Sequence, residues 1–112
     1  MSILDKAKNH YVNILNKEPI RIEVPEWDTV VYAKTSIPLS KLGEIMELSN
    51  QGKTAEAMVM TLIYRLIDEE GNAIFKKAEK SELLRQVDPD VLSRIMTIIG
   101  ENQPSQEDLE KN

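Results

Sequence analysis

An alternating run of oxygen-bearing side chains between residues 68 and 79 is the part of the sequence that most resembles a metal site. Asp68, Glu70 and Asn72 have the spacing of calcium-loop ligands, and Glu79 occupies the twelfth position. Such a loop needs glycine at its sixth position, where this sequence has Ala73, and its ninth position holds a lysine. The run therefore predicts a solvated acidic turn that follows a helix, and we expect no metal or cofactor.

The remaining residue types that could support catalysis lack the partners that catalysis needs. His10 is the only histidine, and no carboxylate in the adjacent helical turn could orient its ring. The serines lie outside any Gly-x-Ser-x-Gly motif, and the four glycines are isolated, which excludes a glycine-rich phosphate loop. We therefore expect no catalytic residue and no small-molecule substrate.

The composition is that of one small domain with an excess of acidic residues. The chain has 112 residues, no cysteine and a net charge of −5. The absence of thiols is compatible with a reducing cytoplasm, and no apolar run is long enough to cross a membrane. A nucleic-acid-binding protein normally carries a basic patch, so the charge argues against a nucleic-acid partner.

Hydrophobic periodicity predicts a hairpin surrounded by helices. Residues 20–24 alternate apolar and charged side chains, and residues 29–34 return after a proline-containing turn, as two strands of a hairpin would. Since two strands alone are marginal in water, helices must cover one face of the hairpin. Helical spacing and end signals place these helices at residues 2–15, 38–48, 54–67, 79–86 and 89–99.

These elements predict an α+β fold that is predominantly helical, with a small β-hairpin packed against four to five helices. The domain is expected to span residues 1–100, because Gly100 follows the last periodic segment. Residues 101–112 lack periodicity and carry four acidic residues, so we expect a disordered acidic C-terminal tail.

The helix predicted at residues 54–67 is apolar on two sides. One stripe contains Ala55, Met58, Val59, Leu62, Ile63, Leu66 and Ile67, and a second stripe on the opposite side contains Ala57, Met60 and Tyr64. So small a chain has little material to enclose both stripes. We therefore expect the second stripe to contact another protein, so that aspartate at position 60 or 64 weakens association without unfolding the domain. Aspartate at position 62 should unfold it.

Trp27, the only tryptophan, lies in the predicted hairpin turn. It could pack beneath the hairpin or anchor a protein interface, and we keep both interpretations. The interface candidates are therefore Trp27, Ala57, Met60 and Tyr64.

Two stretches resemble the tail assembly chaperones of long-tailed bacteriophages. Residues 23–27 (EVPEW), followed by VVY at residues 30–32, are similar to the opening strands of that family. The run LIDEEGNAIF at residues 66–75 resembles the turn in which a family helix ends before a phenylalanine. A short helix with a Leu-Leu pair and a final amphipathic helix extend the resemblance to residues 20–100.

The resemblance implies a non-enzymatic chaperone that keeps the apolar, helical tape-measure protein soluble while tail tube protein polymerises around it. Such proteins often self-associate, act in the host cytoplasm and are expected to be absent from the mature virion. Many also occur as a longer product of ribosomal frameshifting.

Two other classes of function remain open. The chain could be a structural or adaptor protein that stays in a phage particle. A small regulatory DNA-binding protein is the third class, because residues 42–50 and the helix after Gly52 have the lengths of a helix-turn-helix. The second helix, however, has Arg65 as its only base, where a recognition helix should offer several polar side chains.

Overall fold

The computed structural model describes residues 2–102, which form five α-helices and a three-stranded antiparallel sheet of order β1–β2–β3. In chain order, the elements of this part are α1 (Ile3–Leu15), β1 (Ile20–Val24), β2 (Thr29–Ala33), α2 (Leu39–Asn50), α3 (Thr54–Arg65), β3 (Leu66–Ile67), α4 (Lys80–Arg85) and α5 (Pro89–Glu101). The predicted α+β, predominantly helical fold with a hairpin is confirmed.

Two helices begin at the side chains that the sequence indicated. The Ser2 hydroxyl accepts a hydrogen bond of 3.1 Å from the Asp5 amide at the start of α1. The Asp88 carboxylate accepts one of 3.0 Å from the Asp90 amide, and Pro89 occupies the first position of α5. Each cap satisfies a backbone donor that has no partner within its own helix.

The hairpin presents one apolar face to the helices. Its register places Ile22 opposite Val31, and Val24 and Ala33 lie on the same buried face. A single 3-10 turn, Pro25–Trp27, joins the strands and ends at Asp28, whose φ of 51° is in the left-handed region that aspartate tolerates. The alternation seen in the sequence therefore matches the burial of the sheet.

The chain itself encloses both sides of α3, which corrects the expectation that one side needs a partner. The first hydrophobic cluster joins α3 to the hairpin and α5 through Leu62, Leu66 and Ile95, each fully buried. The second cluster lies on the other side of α3, where Met60, Ile63 and other apolar side chains pack against α2 and α4. The 12-residue helix α3 therefore contributes side chains to both hydrophobic clusters.

The ends of two predicted helices differ in the structure. Leu66 and Ile67 leave α3 and form β3, which pairs with Ala33 and Tyr32 of β2. Helical spacing also fits these two residues, so periodicity alone could not place them in the sheet. Gly100 does not end the last helix, because α5 continues to Glu101. Of the predicted disordered tail at residues 101–112, the part from residue 103 onward lies outside the described residues.

Candidate protein-interaction surface

Three of the four predicted interface residues are buried within the domain. Ala57, Met60 and Tyr64 are 6%, 3% and 8% exposed. Met60 and Tyr64 belong to the second cluster, and α2 packs against α3. In this arrangement they offer almost no accessible surface to a partner. The expectation that the second stripe of α3 is free is therefore wrong, because α2 and α4 supply the missing cover.

A network of polar side chains links α2 to the buried second stripe of α3. The Tyr64 hydroxyl donates a hydrogen bond of 2.5 Å to Glu44 on α2, and the Lys77 ammonium lies 3.7 Å from the same carboxylate. The Lys41 ammonium also lies 5.0 Å from the centre of the Tyr64 ring, within the range of a cation–π contact. Sequence reasoning did not identify this network, because its members are up to 36 residues apart.

The charges of this network respond to one another. Burial and the bond to Glu44 raise the pKa of the Tyr64 hydroxyl above its usual value. The bond from Tyr64 and the charge of Lys77 lower the pKa of the Glu44 carboxyl, and its contacts with Tyr64 and Glu44 raise the pKa of Lys77. The lowered pKa of Glu44 and the raised pKa of Lys77 both favour the charged forms, so the ion pair between these two residues persists around neutral pH. The network therefore stabilises the packing of α2 against α3.

Trp27 is half-buried at the edge of the first cluster. Its ring meets Phe75 edge-on, with 6.0 Å between ring centres and an angle of 87° between planes. Val30, Ile74 and Phe75 line a shallow apolar groove beside it, with a volume of about 350 Å³. The packing agrees with the interpretation of Trp27 as a core residue, and its role as an interface anchor stays a prediction.

The exposed apolar surface lies instead on α1. This helix has no buried residue, and it is not among the elements that pack extensively against one another. Ile3 and Leu4 are 84% and 63% exposed, and Val12 and Leu15 are each about half exposed. The spacing of its apolar residues predicts one apolar side for this helix. Helical spacing indicates that such a side exists, but it does not show whether another element covers it.

A second exposed apolar stripe lies on the outer side of α2. It consists of Leu39, Leu42 and Met46, at intervals of three and four residues, with exposures of 79%, 38% and 54%. The inner side of the same helix holds Ile45 and Leu48 against the second cluster. Two helices of similar length therefore present apolar side chains to solvent, where such stripes commonly mark contacts with other proteins.

Two of the oxygen-bearing side chains between residues 68 and 79 accept hydrogen bonds from nearby backbone amides. The Asp68 carboxylate accepts hydrogen bonds of 2.9 Å from the amides of Glu70 and Asn72, so it stabilises its own turn as the acidic-turn interpretation predicts. His10 is exposed on α1. Among residues 2–102, no cluster of acidic, histidine or cysteine side chains could hold a metal ion. In the same residues, no helix is long and apolar enough to span a membrane.

The arrangement of α3 also argues against the helix-turn-helix alternative. A recognition helix must present one side to the major groove. Six of the twelve residues of α3 are buried, and five of them belong to the two clusters. Arg65, its only base, donates a hydrogen bond of 3.0 Å to the Lys34 carbonyl and is partly buried. The helix that would have to read DNA is therefore enclosed by protein.

Comparison with known proteins finds similarity in structure. No model of a protein family matches the sequence, and no curated protein matches it. Among solved structures, the tail assembly chaperone of bacteriophage HK97 matches with a TM-score of 0.55 and 19% sequence identity. The match covers 70% of this chain and 82% of that protein. The resemblance noted in the sequence is thus confirmed at the level of the fold, which this chain shares with the HK97 tail assembly chaperone.

Proposed function

We propose that this protein is a non-enzymatic tail assembly chaperone of a long-tailed phage. It would bind the tape-measure protein and assist polymerisation of the tail tube protein around it, in the host cytoplasm, without remaining in the mature virion. The observation that carries the proposal is the shared fold with the HK97 tail assembly chaperone. The exposed stripes on α1 and α2 give that fold a surface suited to an apolar client.

The physical basis of the proposal is reversible burial of apolar surface. Each Å² of apolar area removed from water contributes roughly 25 cal/mol, so roughly a few hundred Å² on α1 and α2 provide substantial attraction to an apolar helix. Ordering of the partners and loss of their free motion offset much of this gain. Binding therefore stays weak enough for tube subunits to displace the chaperone. The net charge of −5 helps to keep the complex soluble.

Co-expression with the tape-measure protein of the same phage tests the proposal. The tagged chain should co-purify with the tape-measure protein and keep it in the soluble fraction. Leu4→Glu places a charge on the exposed stripe of α1 and should reduce the recovered client several-fold. Asn13→Glu adds the same charge to an exposed site on the polar side of α1 and should leave recovery unchanged. Recovery of no tape-measure protein with the unaltered chain would refute the proposal.

Mass spectrometry of purified particles separates this function from the structural or adaptor alternative. A chaperone should be present in infected cells during tail assembly and absent from mature particles. Detection of the chain in mature particles, in a fixed ratio to the tail tube protein, would instead establish a structural role.

A further inference from the structure

The outer edge of β1 is an unpaired edge of the sheet. β1 lies at one end of the strand order β1–β2–β3, and within residues 2–102 no strand pairs with its outer side. The opposite edge is covered, because the Ile74 amide donates a hydrogen bond of 3.2 Å to the Leu66 carbonyl of β3. An open edge offers backbone donors and acceptors to a further strand.

The hydrogen bonds on the other side of β2 show which groups of β1 point outward. The Lys34 amide, just after β2, donates a hydrogen bond of 2.9 Å to the Arg65 carbonyl, just before β3. Since successive residues of a strand bond to alternate sides, the last residue of β2 and every second residue before it bond to β1. Their partners are the first, third and fifth residues of β1. Arg21 and Glu23, the second and fourth residues, therefore direct their amides and carbonyls to the open edge.

The charges of these two residues are complementary to a second copy of the same strand. Arg21 and Glu23 have side chains that are 57% and 70% exposed. When two copies of β1 lie antiparallel with Ile22 opposite Ile22, each arginine lies opposite the glutamate of the other copy. A shift of two residues instead places arginine opposite arginine or glutamate opposite glutamate, and like charges directly opposite are unfavourable. A shift of one residue turns the apolar side chains to the wrong face. The charges therefore select one register.

Prolines at both ends of β1 limit the same pairing to a short ladder. Pro19 precedes the strand and Pro25 follows it. In the register centred on Ile22, Pro19 of each copy falls opposite Pro25 of the other, and proline has no amide hydrogen to donate. Each copy then contributes the two outward amides of the strand, so the pair has four backbone hydrogen bonds between copies.

We infer that the outer edge of β1 pairs with β1 of a second copy, antiparallel and centred on Ile22, so that two three-stranded sheets join into one of six strands. Because the same residues meet from both sides, the contact has twofold symmetry and is complete with two copies. The inference goes beyond the proposed function, because it concerns the sheet edge and not the exposed stripes of α1 and α2.

The small size of this contact predicts a weak, reversible pair. Five residues of β1 from each copy are far fewer than the roughly 20–30 residues a side of a standard stable interface. Exposed ion pairs such as those between arginine and glutamate add little to the affinity, and salt screens them. We therefore expect pairs that form at high protein concentration, dissociate on dilution and weaken modestly in salt.

Amide hydrogen exchange, measured by NMR at increasing protein concentration, tests the inference. The amides of Arg21 and Glu23 should exchange several-fold more slowly in concentrated than in dilute protein, because only the pair supplies their bonding partners. The Ile22 amide is the internal control, since it bonds to β2 in both states and its exchange should not depend on concentration. Over the same range, sedimentation should show an average mass that rises above the 12.8 kDa of one chain.

Charge reversal makes the test specific to this register. Arg21→Glu places glutamate opposite glutamate in the pair, and Glu23→Arg places arginine opposite arginine, so each variant alone should lose the concentration-dependent protection. Their mixture brings opposite charges together and should regain it, as should the double variant Arg21→Glu/Glu23→Arg. Lys53→Glu makes the same change of charge as Arg21→Glu at an exposed residue outside the sheet, and it should pair like the unaltered protein. Circular dichroism should show that all variants stay folded, because both reversed side chains are more than half exposed.

Two results would overturn the inference. One is exchange of the Arg21 and Glu23 amides that does not change with concentration, and a rising mass in that case would assign association to another surface. The other is a mixture of the two charge-reversal variants that exchanges like each variant alone. These measurements need only the purified chain, so they do not depend on whether it recovers the tape-measure protein.

Discussion

The Tyr64 hydroxyl donates a hydrogen bond of 2.5 Å to the Glu44 carboxylate and so joins the end of α3 to the middle of α2. The two residues are 20 positions apart, and the bond lies over the second cluster. It closes the side of α3 that the sequence had suggested was open to a partner. The bond therefore helps to keep the second cluster covered.

Tyr64→Phe should destabilise the domain by about 1 kcal/mol, because it removes this hydrogen bond and keeps the buried ring. The free energy of unfolding from urea denaturation measures the effect. A variant as stable as the unaltered protein would show that the bond contributes nothing to holding α2.

Tyr11→Phe is the matched control for that measurement. The Tyr11 hydroxyl is buried and makes no hydrogen bond to any described residue. Its removal should therefore leave stability unchanged or raise it slightly, since an unpaired buried hydroxyl is itself unfavourable. If Tyr11→Phe lost as much stability as Tyr64→Phe, the loss at Tyr64 could not be assigned to its hydrogen bond with Glu44.

Met60→Ala and Met46→Ala should differ sharply in stability. Met60 is 3% exposed in the second cluster, and its truncation should cost about 2–5 kcal/mol through lost packing and a residual cavity. Met46 is 54% exposed on the outer side of α2, so its truncation should cost about 0.5 kcal/mol or less. Chemical denaturation of the two variants gives the comparison, and similar losses would contradict the positions of these side chains.

The ion pair between Glu26 and Arg94 predicts a dependence of stability on pH. Arg94 on α5 contacts both carboxylate oxygens, at 2.5 and 2.7 Å, and this bonding lowers the pKa of Glu26 from 4.5 to about 2. A carboxyl with a lowered pKa in the folded state stabilises that state above about pH 4.5. The contribution is lost as the pH falls towards 2.

Glu26→Gln should therefore lower the Tm slightly at neutral pH, and the two Tm values should converge in acid. The difference is expected to be small because both side chains are substantially exposed. Thermal unfolding over a range of pH measures it. A difference in Tm that stays constant down to pH 2 would exclude the ion pair as its cause.

Gly71→Ala should destabilise the domain by about 1 kcal/mol, because Gly71 has a φ of 89° that side-chain-bearing residues rarely adopt. Gly100→Ala is the opposite case. Gly100 lies in α5, and beyond its chain neighbours and the backbone of its own helix nothing lies within 4 Å of an added Cβ, so alanine should stabilise the helix by up to about 1 kcal/mol. Unfolding experiments on both variants test the signs of the two stability changes. A loss of stability in Gly100→Ala would contradict the helical environment of Gly100.

Local patterns in the sequence were sufficient for most of the secondary structure. The caps at Ser2 and Asp88 and the alternation of residues 20–24 depend on neighbouring residues, so they could be identified without a structure. β3 could not, because Leu66 and Ile67 satisfy the helical pattern as well. Only their pairing with β2 distinguishes the two conformations.

The candidate surface was harder to predict than the fold, because exposure depends on which elements meet in space. The periodicity of α3 correctly indicated that both of its sides need cover, but it could not show that α2 and α4 provide it. The periodicity of α1 is equally clear, yet none of its residues is fully buried. An apolar stripe in a sequence indicates that burial is favourable, and the tertiary arrangement decides whether it occurs within one chain.

The shared position of α3 between two clusters has a consequence for how the molecule opens. If the side chains of either cluster separate from α3, one side of the helix is exposed and its position in the other cluster is no longer held. The amide hydrogens of α3 should therefore exchange with deuterium only when the whole domain unfolds, whereas those of α1 can exchange through local fraying. We therefore expect the domain to unfold as one cooperative unit, apart from local fraying of α1.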